Sequence, residues 1–171
     1  GDKDERGMLF WTTLDIIKKV LSNNPNAKFM LENVKMKKEF EEYITYHTTE
    51  ALGEVHKTLI NSALVSAQNR NRYYWTNFEV SQPKDKGLVL SDIIIDKESD
   101  KFVKDTVRNL RHERKHNQKS LACTATMYKG AGNNGMSLIR RVAQKDNKLS
   151  VLTVNEAELL QTIPVDFTKG I

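Results

Sequence analysis

Three residues of this chain have the types and spacing to do chemistry together: Glu32, Arg70 and Arg72. The arginines stand two apart in Gln68-Asn69-Arg70-Asn71-Arg72-Tyr73-Tyr74-Trp75-Thr76-Asn77, where a polar loop runs into an aromatic strand. Glu32 ends the short apolar run Phe29-Met30-Leu31 and is followed by Asn33-Val34. A carboxyl at the C-terminal tip of one strand and an arginine pair at the head of another can converge on one planar polar ligand, because both groups hydrogen-bond in a plane. A nucleobase is such a ligand. Taken singly, Glu32 reads as a solvated carboxylate and the arginines as surface charges of a loop.

Those residues must be held by regular elements, and the hydropathy pattern supplies candidates. Residues 8–22 carry Leu9, Leu14, Ile17 and Leu21 at helical spacing, with Lys18 and Lys19 near the end where the helix dipole favours cations. Asn23-Asn24-Pro25-Asn26 is a turn. Residues 27–31 read as a short buried strand. Residues 35–51 read as a second helix with Met36, Phe40, Tyr43 and Ile44 on one side. Residues 55–64 and 72–78 read as strands. Helix, strand, helix, strand, strand is half of an α/β sheet with helices on its faces.

Composition then shifts. Ser81-Gln82-Pro83-Lys84-Asp85-Lys86-Gly87 is a linker candidate. A basic run follows (Arg108, Arg111, Arg114, Lys115, Lys119), then the glycine-rich loop Tyr128-Lys129-Gly130-Ala131-Gly132-Asn133-Asn134-Gly135, then Arg140 and Arg141. Residues 153–161 read as a short helix, with Thr153 and Glu156 spaced as a capping box. The chain has 171 residues, 39% hydrophobic and 29% charged, so it can bury a core. Its net charge of +5 favours a polyanionic partner without identifying one. The single cysteine, Cys123, excludes an internal disulfide and a multi-cysteine zinc site. With no basic start before a long apolar run and no membrane-length apolar stretch, the expected setting is cytoplasmic.

Taken together, several segments resemble the C5-cytosine DNA methyltransferases. Arg6-Gly7-Met8-Leu9-Phe10 looks like that family's RG-x-LF segment and Glu32-Asn33-Val34 its ENV motif. Gln68-x-Arg70-x-Arg72 looks like its Q-x-R-x-R motif. Leu152-Thr153-x-x-Glu156 followed by Leu160-Gln161-x-x-Pro164-x-x-Phe167 resembles its late LT-x-x-E and LQ-x-x-P-x-x-F segment, with Val154 and Leu159 where Pro and Arg are usual. The four occur in the family's order. The 171 residues hold no Pro-Cys nucleophile motif, no glycine-rich loop for S-adenosylmethionine and no final cofactor motif. The resemblance therefore implies the C-terminal part of such an enzyme, expected to be inactive alone.

The implied fold is the second half of a Rossmann-like methyltransferase sheet with helices on its faces, plus a small, mainly irregular and β target-recognition region. The implied divisions are a partial catalytic domain (1–80), the recognition region (81–150), and a helix and tail (151–171) returning to the catalytic domain. The implied partner is double-stranded DNA, and the cofactor S-adenosylmethionine, in a site incomplete here, with Leu9 (first a core residue) at its adenosine end. The chemistry needs a thiolate added at cytosine C6, so that C5 becomes enamine-like and can attack a sulfonium methyl. The added electron density spreads to N3 and O2. In its acid form and sheltered from water, Glu32 suits N3, with its other oxygen accepting from the exocyclic amine. Arg72 suits O2, and Arg70 holds the base or the loop. None of these can reach a base inside a duplex, so the cytosine is flipped out. Gln68, Thr124, Thr126, Tyr128, Lys129, Arg140 and Arg141 are the candidate DNA contacts.

Other readings compete. The same surface suits a non-catalytic DNA-binding module or one subunit of a split enzyme, with a complementary chain or self-association covering an open half-sheet. His112-Glu113-Arg114-Lys115-His116 matches the zinc-protease pattern H-E-x-x-H, but two cations lie between its ligands. The basic run reads equally as a solvated helix face, Tyr128–Gly135 as a hairpin tip, and Cys123 as a small packed side chain.

Overall fold

The computed structural model of the chain describes residues 5–97, 99, 101–125, 136–142 and 147–170. It is a mixed α/β structure with four α-helices and two small sheets among the described residues. The chain divides into two compact units, residues 1–60 with 71–82, and residues 61–70 with 83–171.

The first unit holds α1 (Glu5–Asn23), β1 (Met30–Val34), α2 (Lys38–Leu52), most of β2 (His56–Asn61) and β3 (Asn71–Thr76). The expected helix–strand–helix–strand–strand order is therefore observed, in a sheet ordered β1-β3-β2. β1 and β3 run antiparallel, with Glu32 opposite Tyr74 and Val34 opposite Arg72. Side chains alternate along β3. Tyr73 and Trp75 face α2: the Trp75 indole donates to Thr45 Oγ1 at 2.8 Å, and Tyr73 bonds Glu41. Arg72 and Tyr74 point to the opposite face. Gly53, at φ +86°, ends α2 with its N–H on Thr49 O, a conformation that suits glycine.

Two expectations for this unit fail for physical reasons. β1 is not buried: Phe29, just before it, packs inside, while Met30 and Val34 are exposed on a strand at the sheet's edge. The side expected to face inward, with Met36, Phe40, Tyr43 and Ile44, is not the buried side of α2, though Met36 and Ile44 are half-buried. Glu41 and Thr48 are buried instead, because β2 and β3 offer polar tips, and Lys57 ion-pairs with Glu41. Phe40 and Tyr43 are exposed, and Tyr43 meets Trp11 of α1 edge-on.

The bond from Lys57, together with that from Tyr73 and the Lys57 charge, holds the Glu41 carboxyl below its usual range, against the opposing cost of burial. A lowered carboxyl pKa contributes stability above the unfolded value, about pH 4.5, and loses it as pH falls through the folded value. Urea midpoints measured through this acid range should fall more steeply for the parent chain than for Glu41→Gln; parallel curves would show that the interaction is energetically idle.

Apolar surface remains uncovered on this unit. Met8, Leu9, Ile16 and Val20 of α1 and Met30 and Val34 of β1 are all exposed. Surface of this kind favours association. The chain should bind an apolar dye and scatter light as an oligomer; a monodisperse, dye-silent monomer would contradict this. No helix among the described residues is long and apolar enough to cross a membrane.

The second unit holds α3 (Val107–Leu110), β4 (Leu138–Arg140), β5 (Leu149–Val151) and α4 (Val154–Leu160). β4 and β5 pair antiparallel. Ala67, Leu90, Ile93, Ile139, Leu152 and Leu160 form its apolar core, which is why residues 151–170 pack in this unit and not, as expected, with the first. The capping box on α4 forms: Thr153 Oγ1 accepts from Glu156 N, and Glu156 Oε2 accepts from Thr153 N.

Candidate active site and nucleic-acid interface

Glu32 and Arg72 meet. Their residues are diagonal neighbours across the β1–β3 ladder, a separation long side chains can span. Arg72 Nε lies 2.6 Å from Glu32 Oε1, and Arg72 Nη1 donates to Asn71 O at 2.9 Å. They lie far apart along the chain, and the antiparallel register brings them together. The arginine side chain is 16% exposed and the glutamate 41% exposed, so the carboxyl is not sheltered as the sequence reading requires. The arrangement presents a guanidinium and a carboxyl side by side on one face of the β1–β3 ladder.

The ladder is pinned by a residue the sequence reading passed over. The Asn77 side-chain oxygen accepts from Phe29 N at 3.0 Å, and its amide donates to Ala27 O at 2.8 Å. Asn77 thus fixes where β1 starts, and so where Glu32 falls. An asparagine just past an aromatic strand was the available sign.

Gln68 and Arg70 belong to the second unit. Gln68 is 2% exposed, so its expected role as a direct DNA contact gives way to an internal one. Its Oε1 accepts from Cys123 N at 2.8 Å and its Nε2 donates to Leu160 O at 3.3 Å. Arg70 is partly buried, with Nη1 3.5 Å from Cys123 O. Cys123 itself is half-buried, and desolvation pushes its thiol pKa up, against smaller effects of Gln161 and Arg70. A thiol in that state is a poor nucleophile.

Of the other candidate DNA contacts, Thr124 is exposed, and Thr126, Tyr128 and Lys129 lie outside the described residues, as does the Tyr128–Gly135 loop. Arg140 is bound to Asp105 at 2.8 Å, Glu113 at 3.0 Å and Asn147 O at 2.7 Å, and the two carboxylates raise its pKa further. Arg141 is a correction. Its side chain is 1% exposed and forks onto Glu156, Nη1 to Oε1 and Nη2 to Oε2, both at 2.6 Å. A phosphate cannot reach it without breaking a buried pair. The capping box pointed to Glu156, but nothing local in the sequence pointed to Arg141 as its partner.

The H-E-x-x-H segment is not a helix. Residues 111–118 are turns and an isolated bridge, Glu113 binds Arg140, and His116 Nε2 lies 2.8 Å from Arg140 O. The helical spacing a zinc protease needs is not formed. The basic run forms only the short α3, and Lys119 turns inward to donate to Ala63 O and Ser66 O. Leu9 is 65% exposed, not a core residue, and lies on α1 as an apolar surface.

No curated protein matches the chain significantly. The family model described as C-5 cytosine-specific DNA methylase matches residues 1–135, a span that takes in β1, β3 and the Glu32–Arg72 pair they hold. With most of its 171 residues matched, the chain belongs to the C-5 cytosine-specific DNA methylase family.

Proposed function

We propose that this chain is part of a DNA (cytosine-5)-methyltransferase, in which the first unit supplies the second half of a Rossmann-like sheet and the second unit the target-recognition region. The observation that carries the reading is the Glu32–Arg72 pair on one face of the β1–β3 ladder. A flipped-out cytosine laid against that face places O2 toward the guanidinium and N3 and the exocyclic amine toward the carboxyl. As a nucleophile adds at C6, charge builds on O2 and N3. Arg72 stabilises the first, and Glu32, as the acid, gives a proton to the second. Thymine carries the opposite polarity at both edge positions, so the same contact selects cytosine.

The family uses S-adenosylmethionine. In this structure Leu9, the residue expected at that cofactor's adenosine end, is exposed on α1. The thiolate is not supplied by these residues, whose one cysteine is half-buried with a raised pKa. The 171 residues alone should therefore not transfer methyl groups. That cysteine chemistry favours a second reading, a DNA-binding module without catalysis. Mixing the chain with a polypeptide bearing the nucleophile and the glycine-rich loop separates the two: methyl incorporation into duplex DNA supports the enzyme, and none supports the module.

Both readings require phosphate contacts. With a net charge of +5, the affinity of the chain for duplex DNA should fall steeply and linearly in log–log form as salt rises. Affinity that ignores salt would count against any DNA partner.

A further inference from the structure

The second unit ties down both stems of the segment between Cys123 and Ser137, and the ties converge on buried polar side chains. On one stem, Ala67 O accepts from Ser120 N at 2.7 Å and Ser120 O accepts from Asn69 N at 2.9 Å, a short parallel bridge. Three residues on, the Cys123 N–H is held by Gln68 Oε1 at 2.8 Å, and its carbonyl lies 3.5 Å from the Arg70 guanidinium. On the other stem, Ser137 is 1% exposed, its Oγ accepts from Leu121 N at 2.8 Å and lies 2.8 Å from Ser120 Oγ. Gln68 uses its remaining group on Leu160 O, the last residue of α4.

A buried glutamine with both ends satisfied is costly to place unless it fixes geometry, since either end left alone would lose a buried hydrogen bond. Here it locks three segments that are far apart in sequence. We propose that Gln68, with Ser137, is a positioning residue that fixes the two stems of this segment, at Cys123 and at Ser137, for the reading of a DNA groove by this unit. The inference rests on the DNA-reading role proposed above for this unit. Within the Q-x-R-x-R run the roles then differ. Its first member, Gln68, serves the loop, and its last, Arg72, serves the base. Stems fixed in advance give up less conformational freedom on docking, and that gain appears where docking must be specific. Neither Gln68 nor Ser137 carries a charge, so neither contributes to counterion release.

Two readouts on the full chain test this. Amide hydrogen exchange at Cys123 should be slow in the parent and fast in Gln68→Met. Selection from short duplexes with randomised centres should enrich a sequence for the parent. The ratio of affinity for that sequence over a scrambled duplex should drop about tenfold in Gln68→Met. The salt slope should stay at the parent value, because no phosphate contact is lost. Ser137→Ala, the smaller change, should give the same pattern and decides the matter if Gln68→Met does not fold. Unchanged Cys123 exchange overturns the clamp. Fast exchange with an unchanged affinity ratio overturns its role in recognition. A parent chain that enriches no sequence overturns the DNA-reading role and this inference with it.

Discussion

Glu32→Gln should abolish most of the methyl transfer of the complemented enzyme while leaving the fold intact. The two effects separate by magnitude. In the folded chain Glu32 contributes an ion pair to Arg72 with the carboxyl 41% exposed. Pairs that open to water are worth at most about 1 kcal/mol, so thermal stability should barely move. In the proposed reaction the same group faces charge building on N3. Loss of one preorganised donor to developing charge typically costs about 10²–10³-fold in rate, roughly 3–4 kcal/mol. Glutamine keeps the shape and an acceptor oxygen but has no acidic proton to give. Arg72→Lys should also lose rate, because an ammonium cannot place two in-plane donors where a guanidinium does. The check is initial rate of labelled-methyl incorporation into duplex DNA, with melting temperatures beside it. A parent-like rate for Glu32→Gln would remove the acid from the mechanism. A lost rate with an equally lowered melting temperature would make the pair structural.

The Glu32–Arg72 contact was legible because each residue is marked by its own local sequence, although the two lie far apart along the chain. Glu32 and the arginines were marked by residue type beside short apolar runs, and the antiparallel register then brought Glu32 and Arg72 together without further help. The capping box of α4 was legible for the same reason: Thr153 and Glu156 are three residues apart and need nothing beyond the first helical turn. What failed depended on partners far along the chain. Phe29-Met30-Leu31 looks like a buried strand, yet β1 lies at the edge of the sheet with no fully buried residue, and only Phe29, just before it, is buried. α2 turns Glu41 and Thr48 inward because Lys57, Tyr73 and Trp75 lie opposite, and no periodicity reports that. Gln68 looked like a groove contact until Cys123 and Leu160 took both ends of its amide. His112-Glu113-Arg114-Lys115-His116 has the letters of a helical metal site without the apolar flank that would make it a helix.

Arg141 is where letter and place differ most, and its replacement should be the most destabilising single change in the second unit. A basic residue beside a glycine-rich loop reads as a phosphate contact. In the structure both partners are closed off from water, 1% exposed for Arg141 and 0% for Glu156. The guanidinium also donates to Asp96 O at 2.7 Å and Val151 O at 3.2 Å, and Glu156 holds Thr153 N and Asp96 N. Three segments are joined by one charge pair. Removing the arginine alone strands a buried carboxylate, at a cost of about 3–5 kcal/mol. That is a large share of the roughly 5–15 kcal/mol that holds a typical domain folded. Arg141→Met should therefore lower the melting temperature by roughly 10 °C or more. Arg141→Lys should recover only part of this, keeping the charge but not the fork. Replacing both partners, Arg141→Met with Glu156→Leu, should be less damaging than the single arginine change. The unpaired charge is then gone, and the residual loss is that of the hydrogen bonds the pair makes to Asp96, Val151 and Thr153. Denaturation of the four chains as a double-mutant cycle measures the coupling. If Arg141→Met melts within about 1 kcal/mol of the parent, as an exposed arginine would, the pair is not the junction described here and the phosphate role returns.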